Sequence, residues 1–187
     1  MVKFVERNVP SQINLINSIS NYSIMKTTFA IYGATILIAA AFQMRAEIIA
    51  GPFTNPANGH DYYLLAPNNW TASEAEAETL GGTLAIIRNG AEQEWVFSKF
   101  GDFGGTNRNL WLGFHREAQN GRFISMLGEK MDYSNWGPGQ PDNGGGQESC
   151  VDIWTTGWND TNKGCWNDCV DWTMNNGVVE IPGKSDD

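Results

Sequence analysis

Histidine is almost absent from this chain: two residues, His60 and His115, in 187. Neither lies in a Gly-x-Ser-x-Gly or His-Glu-x-x-His context, so no hydrolytic centre is indicated and no enzyme is expected. Basic residues are scarce as well, with 12 Lys and Arg against 21 Asp and Glu and a net charge of −9. Such a surface repels phosphate backbones, which argues against a nucleic-acid partner. There are only three cysteines, Cys150, Cys165 and Cys169. They cannot all pair within one chain, and Cys165-Trp166-Asn167-Asp168-Cys169 lacks the further ligands of a zinc site. One bridge is expected, from Cys150 to one of the other two. No heptad pattern and no tandem repeat are present.

A long apolar run is also missing. The run of apolar and small residues at 29–42 has 14 residues, against about 20 for a membrane-spanning helix. Met25-Lys26 before it and Gln43-Met44-Arg45-Ala46 after it give the pattern of a secretory signal peptide over 25–46, the alternative being an uncleaved anchor. Residues 1–24 fit no such pattern and read as an extension ahead of the true start at Met25. The expected exported domain is 47–187, secreted or extracytoplasmic. Lys3, Arg7, Lys26, Arg45 and Glu6 lie ahead of it, so it keeps 8 basic against 20 acidic residues, a net charge of −12.

The rest of the chain alternates short apolar runs with turn residues. Gly51–Gly59 reads as an irregular lead-in. Strands are expected at 61–65, 83–87, 110–114, 150–154 and 177–181. Glu74–Leu80 reads as a helix capped by Thr71 or Ser73 and stopped by Gly81-Gly82. Ala91–Phe100 reads as a second, amphipathic helix stopped by Gly101. Gly121–Ile124 and Met131–Tyr133 flank a turn at Gly128. Thr161–Gly164 is a turn leading into a further strand. Two early helices followed by strands define an α+β domain with one core, in which Trp70, Trp95, Trp111 and Trp136 are expected inside.

Residues 134–146 have almost no aliphatic side chains, and a loop this long in a compact domain is usually functional. It runs through Gln140-Pro141-Asp142-Asn143 to Glu148, and Trp-Asn-Asp follows twice, at 158–160 and 166–168. The collected amide and carboxylate oxygens are the ligand chemistry of a hard divalent cation such as Ca²⁺.

Together these segments resemble the C-type lectin family, in a secreted, bacterial-type, single-domain form. Trp70 with the helix into Leu80-Gly81-Gly82-Thr83-Leu84, the Trp111-Leu112-Gly113-Phe114 strand, the Gln140-Pro141-Asp142-Asn143 loop and Glu148-Ser149-Cys150-Val151 follow its order. The resemblance implies a C-type lectin-like fold: two helices packed on short antiparallel strands, with a long calcium loop. It implies Ca²⁺ ligands, also contacting sugar, at Gln140, Asp142, Glu148, Asn167 and Asp168, with Asn159 and Asp160 as the alternative Asn-Asp pair. It implies a cis bond before Pro141 and a bridge between Cys150 and Cys169, with Cys165 as the alternative. The family's outer bridge is missing, and its two positions hold Ala77 and Val179. Gln-Pro-Asp goes with galactose-type sugars in the family. No aromatic follows it in 143–147, so Trp154, Trp158 or Trp166 is left to supply a stacking ring. The implied partner is a glycan or glycoconjugate. The competing expectation is a protein-binding or structural module of the same fold, calcium-stabilised and without sugar activity.

Overall fold

A computed structural model describes residues 47–118, 121–155 and 162–183. The segments 1–46, 119–120, 156–161 and 184–187 lie outside the described residues, and with them the signal-peptide reading, Trp158, and the first Asn-Asp pair at 159–160.

Strands β1 (Ile48–Thr54) and β2 (Asp61–Asn68) form an antiparallel hairpin. Residues 51–54, expected to be irregular, are therefore paired, and bulges in the register absorb the Gly-Pro step. Helix α1 spans Trp70–Thr79. It begins four residues before the expected start, because Asn69 and not Thr71 or Ser73 is the cap. The Asn69 side chain accepts from Ala72 N at 2.7 Å. It ends as expected, with Gly81 at φ +87° and Gly82 N donating to Ala77 O at 3.1 Å. The short strand β3 (Thr83–Leu84) precedes helix α2 (Gly90–Phe100), which Asn89 caps by accepting from Glu92 N at 2.9 Å. Strands β4 (Leu110–Arg116), β5 (Phe123–Ser125), β6 (Cys150–Ile153), β7 (Trp166–Cys169) and β8 (Asn175–Ile181) complete the chain.

The strands form one sheet in the order β1-β2-β8-β4-β6-β7, with β3 on β8 and β5 on β4. Among these described strands, only the central β4–β8 pair is parallel. Gly113 lets β4 pass close to β3, since a Cβ there would lie 2.1 Å from Leu84 O. Trp70, Trp111 and Trp166 are buried, while Trp95 and Trp136 pack from the margin. The Trp70 indole donates to Leu112 O and the Trp111 indole to Asn68 O, so neither buried N–H is left unmet. Ala77 and Val179 share an apolar cluster with Leu65, all three fully buried.

Candidate functional site

The site lies where the 134–149 loop meets the sheet edge. Asn135 O accepts from Trp166 N, and Gly137 N donates to Trp166 O, both at 2.8 Å. These bonds lay the start of the loop along β7. Its end runs straight into β6, whose register with β7 sets Val151 opposite Asp168 and Asp152 opposite Asn167. Side chains alternate along β7. Trp166 and Asp168 therefore share one buried face, and Asn167 points to the other.

Asp168, at 0% exposure, organises the loop. Its Oδ1 accepts from Asp142 N at 2.9 Å, and its Oδ2 from Asn143 N at 2.9 Å and Arg116 Nη2 at 2.6 Å. Glu148 Oε2 accepts from Gly144 N at 2.5 Å, and Gln140 Oε1 from Asp142 N at 3.1 Å. Carboxylate oxygens of Asp142, Glu148 and Asp168 come within 4.8 Å of one another. Burial pushes the Glu148 carboxyl above the usual carboxylate range, and the neighbouring Asp168 and Asp142 charges add to the rise. Three carboxylates against one guanidinium leave a deficit of two positive charges when all are ionised. A divalent cation would match that charge, and carboxylates with loop oxygens are its ligand type.

Of the expected ligands, the structure gathers Asp142, Glu148 and Asp168, with Gln140 bonded to the Asp142 backbone. Asn167, on the other face of β7, has its amide bonded to a different carboxylate. The Asn167 amide donates to Asp152 Oδ1 at 3.1 Å, and Asn175 donates to Asp152 Oδ2 at 2.9 Å. Burial pushes the Asp152 carboxyl up to about 7. The Gln140–Pro141 peptide is cis. Trp166 cannot serve as a sugar-stacking ring: it is fully buried, and its indole donates to Gln93 Oε1 at 2.7 Å.

The expected disulfide is not formed. Cys150, Cys165 and Cys169 are all free thiols, although register sets Cys150 and Cys169 directly opposite each other. Cys165 lies four residues before Cys169, about 13 Å away at strand rise, and so out of reach of Cys150. Burial raises the Cys150 thiol to about 12 and the Cys169 thiol to about 11.

Two residues beside the site were not reached from sequence. Arg116 ends β4, 52 positions from Asp168. It also donates to Glu148 O at 3.0 Å and Gly121 O at 3.1 Å, and lies 4.3 Å over the Phe123 ring. Only the pairing of β4 with β6 and of β6 with β7 brings it there. Trp172, in the turn after β7, is 65% exposed; nothing in its spacing marks it.

Residues 66–176 match the family model of the lectin C-type domain, and the chain belongs to that family. It is 32% identical over 105 residues to a salivary C-type lectin of Aedes albopictus, covering 54% of this chain and 69% of that one. It is 36% identical over 109 residues to the ladderlectin of Oncorhynchus mykiss, covering 54% and 55%. The match thus spans about half to two thirds of these relatives' length. Among solved structures, the cow CD23 carbohydrate-recognition domain, determined in the presence of a GlcNAc2Man3 oligosaccharide, superposes with a TM-score of 0.57 at 26% identity. That alignment covers 67% of this chain and 90% of that one. The α+β, C-type lectin-like fold is thereby established. These relatives are animal proteins, so the bacterial-type form finds no support in them. No helix among the described residues is long and apolar enough to cross a membrane.

Proposed function

We propose that this is a secreted, calcium-dependent carbohydrate-binding module, the domain running over 47–187 behind a signal peptide at 25–46. The observation that carries the reading is the convergence of Asp142, Glu148 and Asp168 at one loop edge, short of charge by one divalent cation. Asp142, Glu148 and Asp168 would hold the ion, with Gln140 beside them. Bound there, Ca²⁺ supplies open coordination positions for two vicinal hydroxyls of a sugar. Protein amides and carboxylates hydrogen-bond the same hydroxyls, and no covalent bond changes. The Gln140-Pro141-Asp142 order favours galactose-type sugars. Asn167 would join the ligands through Oδ1, which its Nδ2–Asp152 bond leaves open, and Asp168 is the carboxylate taken from the second Trp-Asn-Asp.

Thermal unfolding with Ca²⁺ and with chelator tests the cation. At about a hundredfold excess over Kd, linkage stabilises the fold by roughly 2.7 kcal/mol. Asp142→Ala is expected to abolish most of the shift. An unshifted wild-type midpoint would mean that Arg116 alone neutralises the loop, and the calcium reading would fail. A glycan array probed with Ca²⁺ and with chelator then separates a lectin from a protein-binding module: retention lost in chelator supports the lectin, and calcium binding without retention rejects it.

A further inference from the structure

A cleft of about 310 Å³ opens on the Glu148 flank of the loop, at the lower end of the size range for small-ligand sites. Arg116, Asn143, Gln147, Glu148, Ser149 and Trp172 line it. Gln140, Asp142 and Asp168 do not border it, so it lies beside the cation cluster and shares only Glu148 with it. We propose that this cleft takes the second unit of an oligosaccharide whose terminal unit is held at the cation, with the Trp172 indole stacking on the second unit's apolar face. The inference rests on the glycan reading above.

Trp172 is the most exposed large apolar side chain among the described residues, at 65%. The core gains little from it. Its backbone, by contrast, is fixed on both sides. Asp171 O accepts from Trp70 N at 3.1 Å, and Asp171 Oδ1 accepts from Thr71 N at 2.8 Å and Thr71 Oγ1 at 2.7 Å. Beyond the indole, Thr173 N donates to Val170 O at 3.2 Å, and the Thr173 hydroxyl lies 3.1 Å from Cys169 Sγ. The turn is thus tied to the start of α1 and to the end of β7, and stacking immobilises little beyond two side-chain torsions. A pyranose has hydroxyls on its rim and C–H groups on its face. The cleft lining combines carboxylate, amide and hydroxyl groups with one aromatic plane, which matches that division. Three of the five Arg116 N–H donors go to Asp168, Glu148 O and Gly121 O, and its charge is opposed by the Asp168 carboxylate, so the expected unit is neutral.

The test is calorimetry on the full chain in Ca²⁺, with methyl β-galactoside against lactose and methyl α-mannoside against α1,2-mannobiose. The wild type is expected to bind the disaccharide of the preferred sugar about tenfold more tightly than its methyl glycoside. Trp172→Ala is expected to bring that ratio to about one, leaving calcium affinity and methyl glycoside affinity unchanged, and Trp172→Phe to keep most of the ratio. A wild-type ratio of one, or a ratio unchanged in Trp172→Ala, overturns the second-unit cleft. A Trp172→Ala loss that falls equally on the methyl glycoside also overturns it, because the indole would then touch the terminal unit. Binding of none of the four sugars while calcium still binds overturns the glycan reading itself.

Discussion

Glu74 is buried in α1 at 4% exposure with one oxygen satisfied and one not. Leu84 N donates to Oε2 at 2.8 Å, while Oε1 has no partner. A proton on Oε1 removes the unmet charge, so burial raises this carboxyl to about 7. The folded pKa lies above the unfolded one. The associated stability is therefore fully present below the ordinary carboxylate range and is lost as pH rises through about 7. Glu74→Gln keeps the acceptor for Leu84 and carries no charge. The variant is expected to unfold at a higher temperature than the wild type at pH 8, with a difference of up to about 3 kcal/mol that shrinks towards pH 5. Melting both proteins across that range checks it, and equal pH slopes would remove Glu74 as the cause. Asp168 shows the opposite solution at the same scale: equally buried, it is satisfied by one guanidinium and two backbone amides.

Among the elements, the β6–β7 pair carries both the site and the thiols. Cys150 and Cys169 stand directly opposite, so oxidation asks for side-chain rotation and no change of register. Their raised thiol pKa values make both slow as nucleophiles at neutral pH, and an oxidant or isomerase is needed. After export-type expression, peptide mapping without reductant is expected to show Cys150–Cys169 linked and Cys165 alone. In the chain-entropy model that loop contributes about 3 kcal/mol, read as a lower midpoint after reduction. A Cys150–Cys165 peptide would contradict the register. The elements themselves were largely legible in sequence, because turn residues bracket the apolar runs and Gly81-Gly82 and Gly101 stop the helices. The start of α1 was missed because three cap-type residues, Asn69, Thr71 and Ser73, lie within five positions, and only packing chooses among them. The edge strand β1 was missed because its glycine and proline mimic a loop. Within the site, Gln140, Asp142, Glu148 and Asp168 stand out in the sequence as oxygen-bearing side chains, and the structure sets three of their carboxylates together. The direction of Asn167 follows from strand alternation once β7 is known to begin at Trp166. Arg116 and Trp172 come to the site through strand pairing and a turn, which no local pattern encodes.

For the whole molecule, sheet and loop differ in what holds them. The strands bury their apolar residues along β2, β8, β4 and β6, whereas the loop is held by backbone amides on two carboxylates, Asp168 and Glu148. A cation on those carboxylates stabilises every state that keeps them together and no state that separates them. Hydrogen exchange distinguishes three kinds of opening. Amides of 142–144 exchange when the loop lifts, which releases the ion, and core amides of β4 and β8 exchange by global unfolding, which also releases it. Amides of the outermost strand β1 fray without disturbing the site. At about a hundredfold excess of Ca²⁺ over Kd, the first two classes are expected to slow by roughly a hundredfold, and β1 to stay unchanged. Slowing of the core without the loop would place the ion elsewhere in the domain. Slowing of the loop without the core would show that the core amides exchange through an opening that keeps the ion bound, and not through global unfolding. The same measurement on Asp142→Ala, expected to show no calcium effect in any class, ties the response to this cluster and not to a general effect of the salt.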